Sequence, residues 1–162
     1  MNVFELAMEK ELEVKSYYEK LAVESPLPGV RRIFTLLAGD EQKHFDMVKA
    51  MKSGAGPEQL ADSTALETAR EILGELIGDT GDAEKLKNSL DSYRHALKVE
   101  ADSVRFYEGI MEKEPDTRLK KILAKIIGEE QKHYNIVENL YDFALKPEYF
   151  LAWGEFSNLK EL

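Results

Sequence analysis

The chain has 162 residues, 33% of them charged and 43% hydrophobic, with a formal net charge of −9; it is long enough for one hydrophobic core and has the profile of a helix-rich globular protein. The acidic balance argues against nucleic acid and anionic lipid as partners, and the lack of cysteine excludes disulfides, thiolate zinc sites, cysteine-held iron–sulfur clusters and a catalytic thiol. The start, MNVFELAMEKELEVK, has no apolar stretch of the kind a secretory signal needs, and no apolar run approaches the length of a membrane span, so a cytoplasmic chain that meets no membrane is expected.

Apolar residues recur at three- and four-residue spacing, and strand-like alternation is absent. The spacing predicts a first helix over 2–24, ended by SPLPG. A second begins at Pro28, where a missing N–H costs nothing, and runs to Lys52 before SGAGP stops it. Residues 53–88 read as a more polar crossover with a short helix in ALETAREILGELI. A third long helix is expected over 89–113, a turn at EPDT, and a fourth helix over 116–145, halted before Pro147. The stretch that follows is aromatic, and 147–162 is expected to pack back on the helices or on a partner chain.

The chain also repeats itself. Residues 7–48 laid on 96–137 without gaps give 12 identities, where chance would give roughly two or three. Tyr18 falls on Tyr107, Pro26 on Pro115, and GDEQKHF (39–45) on GEEQKHY (128–134). Two helical hairpins joined by a long crossover make a pseudo-symmetric four-helix bundle. The predicted fold is therefore all-α, with the bundle over 1–146 and the tail over 147–162.

At 100° per residue, Glu11, Glu41, Glu100 and Glu130 each fall near the centre of the apolar stripe of their helix. Glu11 precedes Glu41 by the same interval as Glu100 precedes Glu130, and His44 and His133 each follow a glutamate by three residues, on the same side of the helix. Four carboxylates meeting in a core cannot stay ionised without compensation. Lys15 is the one basic residue close to the Glu11 face, and it supplies a single charge. Two divalent metal ions would balance four carboxylates, with two neutral imidazoles completing the coordination. Iron or manganese suits this mixed donor set, and zinc is admissible. Helical bundles that hold two iron or two manganese ions use the same set.

Asp40 and Glu129, each one residue before a glutamate of the set, are expected to accept the ring N–H of the histidine from the opposite half, Asp40 serving His133 and Glu129 serving His44. Tyr18 and Tyr107, seven residues beyond Glu11 and Glu100, face inward and read first as core. Hydrogen bonding to a carboxylate, or electron supply, is their functional alternative. His95 reads as a surface residue.

On these residues the chain resembles the ferritin-like superfamily, and rubrerythrin-type di-iron domains in particular, over residues 2 to 145. The resemblance implies that Glu41 and Glu130 bridge two irons, that Glu11 and Glu100 are terminal ligands with one histidine on each metal, and that the protein is a homodimer. Full rubrerythrins carry a rubredoxin module whose iron needs four cysteines. This chain has none, so electrons would come from a separate donor such as rubredoxin or from Fe(II) itself. The extra glutamate that rubrerythrins carry one turn before the third-helix ligand is Leu97 here. The position of the haem-binding methionine of bacterioferritins is Gln42, so haem is not expected. The implied activity is that of a peroxidase or ferroxidase acting on hydrogen peroxide or dioxygen in oxidative-stress defence. The alternatives are iron storage in a ferritin-like assembly, or oxygenation of an organic substrate.

Overall fold

In the computed structural model, which describes residues 2–54, 62–76 and 80–147, the first helix starts from a reciprocal cap. The Asn2 side chain accepts from the Glu5 amide at 2.9 Å, while Glu5 accepts from the Asn2 amide at 3.3 Å. That pair fixes the start of α1 (Val3–Glu24). Pro28 occupies the first turn of α2 (Pro28–Ser53), and Gly54 closes that helix at φ 73°, a left-handed conformation that a side chain resists. The second hairpin repeats the first. Helix α5 spans Leu90–Lys113 and α6 spans Thr117–Leu145, capped by Asp116, which accepts from the amides of Arg118 and Leu119.

Packing is densest inside each hairpin, α1 on α2 and α5 on α6. No strand occurs among the described residues, and the fold is an all-α bundle of two hairpins joined by a long crossover. None of the helices searched among these residues is long and apolar enough to cross a membrane.

The crossover contains α3 (Ala65–Leu76), in the stretch where a short helix is predicted. It lies against α2 at Gly29, where an added Cβ would come within 2.7 Å of Ile72 Cγ2. The rest of the crossover differs from the polar connection expected there. A six-residue helix, α4 (Thr80–Lys85), and a 3₁₀ turn at Lys87–Ser89 precede α5. Ala83 and Leu86 are fully buried and α4 packs on α6, so tertiary contact holds a helix that local propensity alone would not. The tail expected to pack on the bundle lies, from residue 148 on, outside the described residues.

The core is split. One apolar cluster takes Val14 and Tyr18 from α1, Phe34 and Leu37 from α2, Tyr93 and Ala96 from α5, and Ile136 and Leu140 from α6. The other takes Ala7, Val48 and Met51, Tyr107 and Ile110, and Leu123 and Ile126 from the same four helices. On every helix the gap between the two clusters holds the glutamates and histidines singled out above.

Candidate metal centre

Each long helix brings one glutamate into the gap. Glu11 is 3% exposed, Glu41 1%, and Glu100 and Glu130 0%, with His44 at 0% and His133 at 1%. Their donor atoms form two overlapping groups, within each of which the atoms lie no more than 4.8 Å apart. One is Glu11, Glu41, His44 and Glu130; the other is Glu41, Glu100, Glu130 and His133. Glu41 and Glu130 stand in both. His44 Nδ1 lies 2.6 Å from Glu130 Oε1, 3.6 Å from Glu41 Oε2 and 3.7 Å from Glu11 Oε2. His133 Nδ1 lies 3.0 Å from Glu41 Oε1 and 3.3 Å from Glu100 Oε1. The two imidazole rings are stacked, 6.1 Å between centroids.

The outer edges of both rings face acids from the opposite half. His44 Nε2 is 2.7 Å from Glu129 Oε1, and His133 Nε2 is 2.9 Å from Asp40 Oδ2. A carboxylate can only accept, so Nε2 carries the hydrogen and Nδ1 is the ring atom left facing the cluster. The tyrosines cross over in the same way. Tyr107 donates to Glu11 Oε1 at 2.5 Å and Tyr18 donates to Glu100 Oε1, so each bonds the glutamate of the other half rather than the one seven residues before it. Lys15 does not reach the cluster. Its ammonium donates to Gln42 Oε1 at 2.8 Å, and Gln42 donates on to Asp46.

Several of these atoms are left over. Glu11 Oε2, Glu41 Oε2, Glu100 Oε2, both oxygens of Glu130 and His44 Nδ1 are buried without a hydrogen-bond partner. His44 Nδ1 and Glu130 Oε1 are close, yet not aligned as donor and acceptor. Buried polar atoms normally find partners, and orphaned acceptors that converge on one space are what a cation would satisfy. Carboxylate oxygen mixed with imidazole nitrogen suits iron or manganese, so the residues fit the two-metal requirement.

The buried carboxylates and rings shift one another's protonation. Burial, then the neighbouring Glu41 carboxylate, pushes Glu11 well above the ordinary 4.5. Burial, then Glu100 and Glu41, does the same to Glu130. Glu41 goes the other way: burial would raise it, but the neighbouring Glu11, His133 and His44 hold it well below. Burial would lower both histidines, but the carboxylates around them outweigh it. Glu11, Glu129 and Glu130 hold His44 well above 6.5, and Glu100 and Asp40 hold His133 there. The surrounding carboxylates thus favour the protonated form of both rings.

Ser63 is a contributor that sequence reasoning missed. It is buried in the crossover, its hydroxyl donates to Asp40 Oδ2, and its Oγ accepts from the Ala65 amide at 3.1 Å ahead of α3. Ser63 lies outside the repeat and in no motif, so only the folded crossover reveals it.

The rubrerythrin family profile matches residues 2–141. No curated protein and no solved structure matches the chain. The family suggests a di-iron site, and the bundle carries a buried carboxylate–histidine cluster capable of holding metal at the waist of its four long helices; with the family profile spanning nearly all of the described bundle, the chain belongs to the rubrerythrin family.

Proposed function

We propose that the chain holds two redox-active metal ions, iron foremost, and reduces a small oxidant, hydrogen peroxide or dioxygen. The observation that carries this reading is the pair of overlapping donor groups sharing Glu41 and Glu130, with buried oxygens that no protein group satisfies. Bound there, two ferrous ions would supply the electrons and the Lewis acidity that a carboxylate cluster lacks.

The protein's share is positioning. Glu41, Glu130, Glu11 and His44 would hold one ion, and Glu41, Glu130, Glu100 and His133 the other. Asp40 and Glu129 hold the Nε2 hydrogens, which aims both Nδ1 atoms inward and fixes the ring planes. Tyr18 and Tyr107 occupy one oxygen each of Glu100 and Glu11, leaving the other free to bind. Metal and proton would compete for the histidine rings, so uptake would release protons and weaken as pH falls. The apolar clusters above and below exclude water from the oxidant. With no cysteine in the chain, electrons for turnover come from a separate donor or from Fe(II) as a substrate.

Anaerobic Fe(II) titration followed by peroxide or dioxygen tests the reading. Two irons per chain and a diferric absorbance that forms faster with one oxidant than the other are expected. A stoichiometry other than two, or an unchanged titration in a Glu41→Ala, Glu130→Ala double variant, refutes it.

A further inference from the structure

A run of rings connects the cluster with the surface on one side of the bundle. Tyr18 is fully buried, its hydroxyl donates to Glu100, and its ring meets His133 edge-on at 6.4 Å between centroids. The ring of Tyr17 lies 6.4 Å from that of Tyr18, and His95, which is exposed, stands edge-on to Tyr17 at 5.0 Å. The Tyr17 hydroxyl donates to the Ser92 carbonyl at 2.9 Å, tying this half-buried ring to α5 beside His95.

The internal repeat supplies the contrast. Tyr18 has its twin in Tyr107, which bonds Glu11. At the same offset, however, Tyr17 becomes Phe106 and His95 corresponds to Leu6. Phe106 lies 5.6 Å from Tyr107, and the Lys10 ammonium sits 5.1 Å over its face. A phenol can give up one electron with its proton. A phenyl ring has no such proton, and a cation over its face opposes removing an electron. Among the described residues, the two halves therefore present the same inner tyrosine but only one oxidisable ring at the outer position of the repeat.

We propose that Tyr18 and Tyr17 form a one-sided electron relay between a metal held at Glu100 and His133 and a one-electron redox protein that meets the surface at His95. The relay rests on the metal reading above. Tyr18 passes one electron to the oxidised metal and its phenolic proton to Glu100 Oε1 along the existing hydrogen bond. An electron from Tyr17, with the proton returning from Glu100, restores it. Tyr17 releases its own proton to solvent, since the Ser92 carbonyl is no base. It is restored by an electron from the external donor and a proton from water. The donor is oxidised by one electron, the metal is reduced by one, and both tyrosines end unchanged. Among the described residues, the Tyr107 side has Phe106 in place of the outer tyrosine and offers no matching step.

The test uses the full chain with a ruthenium polypyridyl photo-oxidant coordinated to His95, which is exposed while His44 and His133 are buried. In metal-free protein, flash oxidation should place a tyrosyl radical on Tyr18, seen by electron paramagnetic resonance and absent in Tyr18→Phe. Tyr17→Phe should slow its formation by about tenfold or more, a barrier increase of ~1.4 kcal/mol. Tyr17→Trp, which is again oxidisable, should restore it, and Phe106→Leu should leave it unchanged. In iron-loaded protein, Tyr17→Phe should slow re-reduction by an external one-electron donor while two irons stay bound. An unchanged radical rate in Tyr17→Phe overturns the relay and leaves the metal reading intact. Failure to bind two irons overturns the metal reading, and with it the inner terminus of the relay.

Discussion

Replacing Glu130 by glutamine should separate stability from metal binding. Glu130 is fully buried and neither of its oxygens has a hydrogen-bond partner. Burial first, then the carboxylates of Glu100 and Glu41, push its pKa well above 4.5. Glutamine keeps the shape, removes the like-charge repulsion and turns an NH₂ toward oxygens that lack donors. Exchanging buried charge for neutral side chains is neutral or stabilising by about 1–4 kcal/mol in other proteins, and we expect the metal-free variant at neutral pH to gain in that range. At this chain length each kcal/mol moves Tm by roughly 2–4 °C. The raised pKa sets the pH window. The folded state binds this proton more tightly than the unfolded state, so wild-type stability from this group is complete below 4.5 and is lost as pH rises through the folded value. The advantage of the variant should vanish in acid and grow toward neutrality. Metal should reverse the order. At a free concentration one hundred times Kd, wild type gains about 2.7 kcal/mol, while the variant, missing a donor shared by both groups, gains much less. Melts followed by circular dichroism, with chelator and with Mn(II), across that pH range are the assay. A chelated Glu130→Gln protein less stable than wild type at neutral pH refutes the reasoning, because the carboxylate would then be satisfied by the protein alone.

Two further variants test the supports of the cluster and of the crossover. Asp40→Asn should lower affinity for one of the two metals by about 10- to 100-fold. Ser63→Ala should lower the same one by less, since His133 keeps its contact with Asp40. Biphasic metal titration reads this, and equal weakening of both sites would remove the distinction between the two ends. Gly29→Ala should cost about 1–3 kcal/mol in chemical denaturation, because the new methyl meets Ile72 Cγ2 at 2.7 Å. Combining it with Ile72→Ala should give less than the sum of the two costs, and strict additivity would show that the helices shift apart freely.

The hairpins and the meeting of the six side chains were legible because two independent signals coincide. The apolar period puts Glu11, Glu41, Glu100 and Glu130 inward, and the repeat puts them at one level. The contacts of Asp40 with His133 and of Glu129 with His44 follow from the same symmetry, since an acid one residue before a glutamate points sideways toward the neighbouring hairpin. What stayed hidden depends on chain outside the repeat or on which partner a side chain selects. Ser63 belongs to the crossover, whose path no periodicity sets. Helix α4 exists because Ala83 and Leu86 find an apolar wall, and its own sequence, TGDAEK, gives no sign of that. The tyrosines illustrate a subtler limit. Their inward aim is periodic, but their choice of the opposite half's glutamate is decided by the packing of hairpin on hairpin.

The division of the core by its charged waist has a kinetic consequence. Most contacts lie within a hairpin, between residues near in sequence, and such contacts form early. The six donors, by contrast, come from both hairpins and meet only once these have docked. A metal ion therefore cannot guide the early steps. It arrives after the barrier, where an interaction absent from the transition state acts on the rate of leaving the native state and not on the rate of reaching it. The ion works as a latch closed last: a loaded chain should refold no faster than an empty one, and come apart far more slowly.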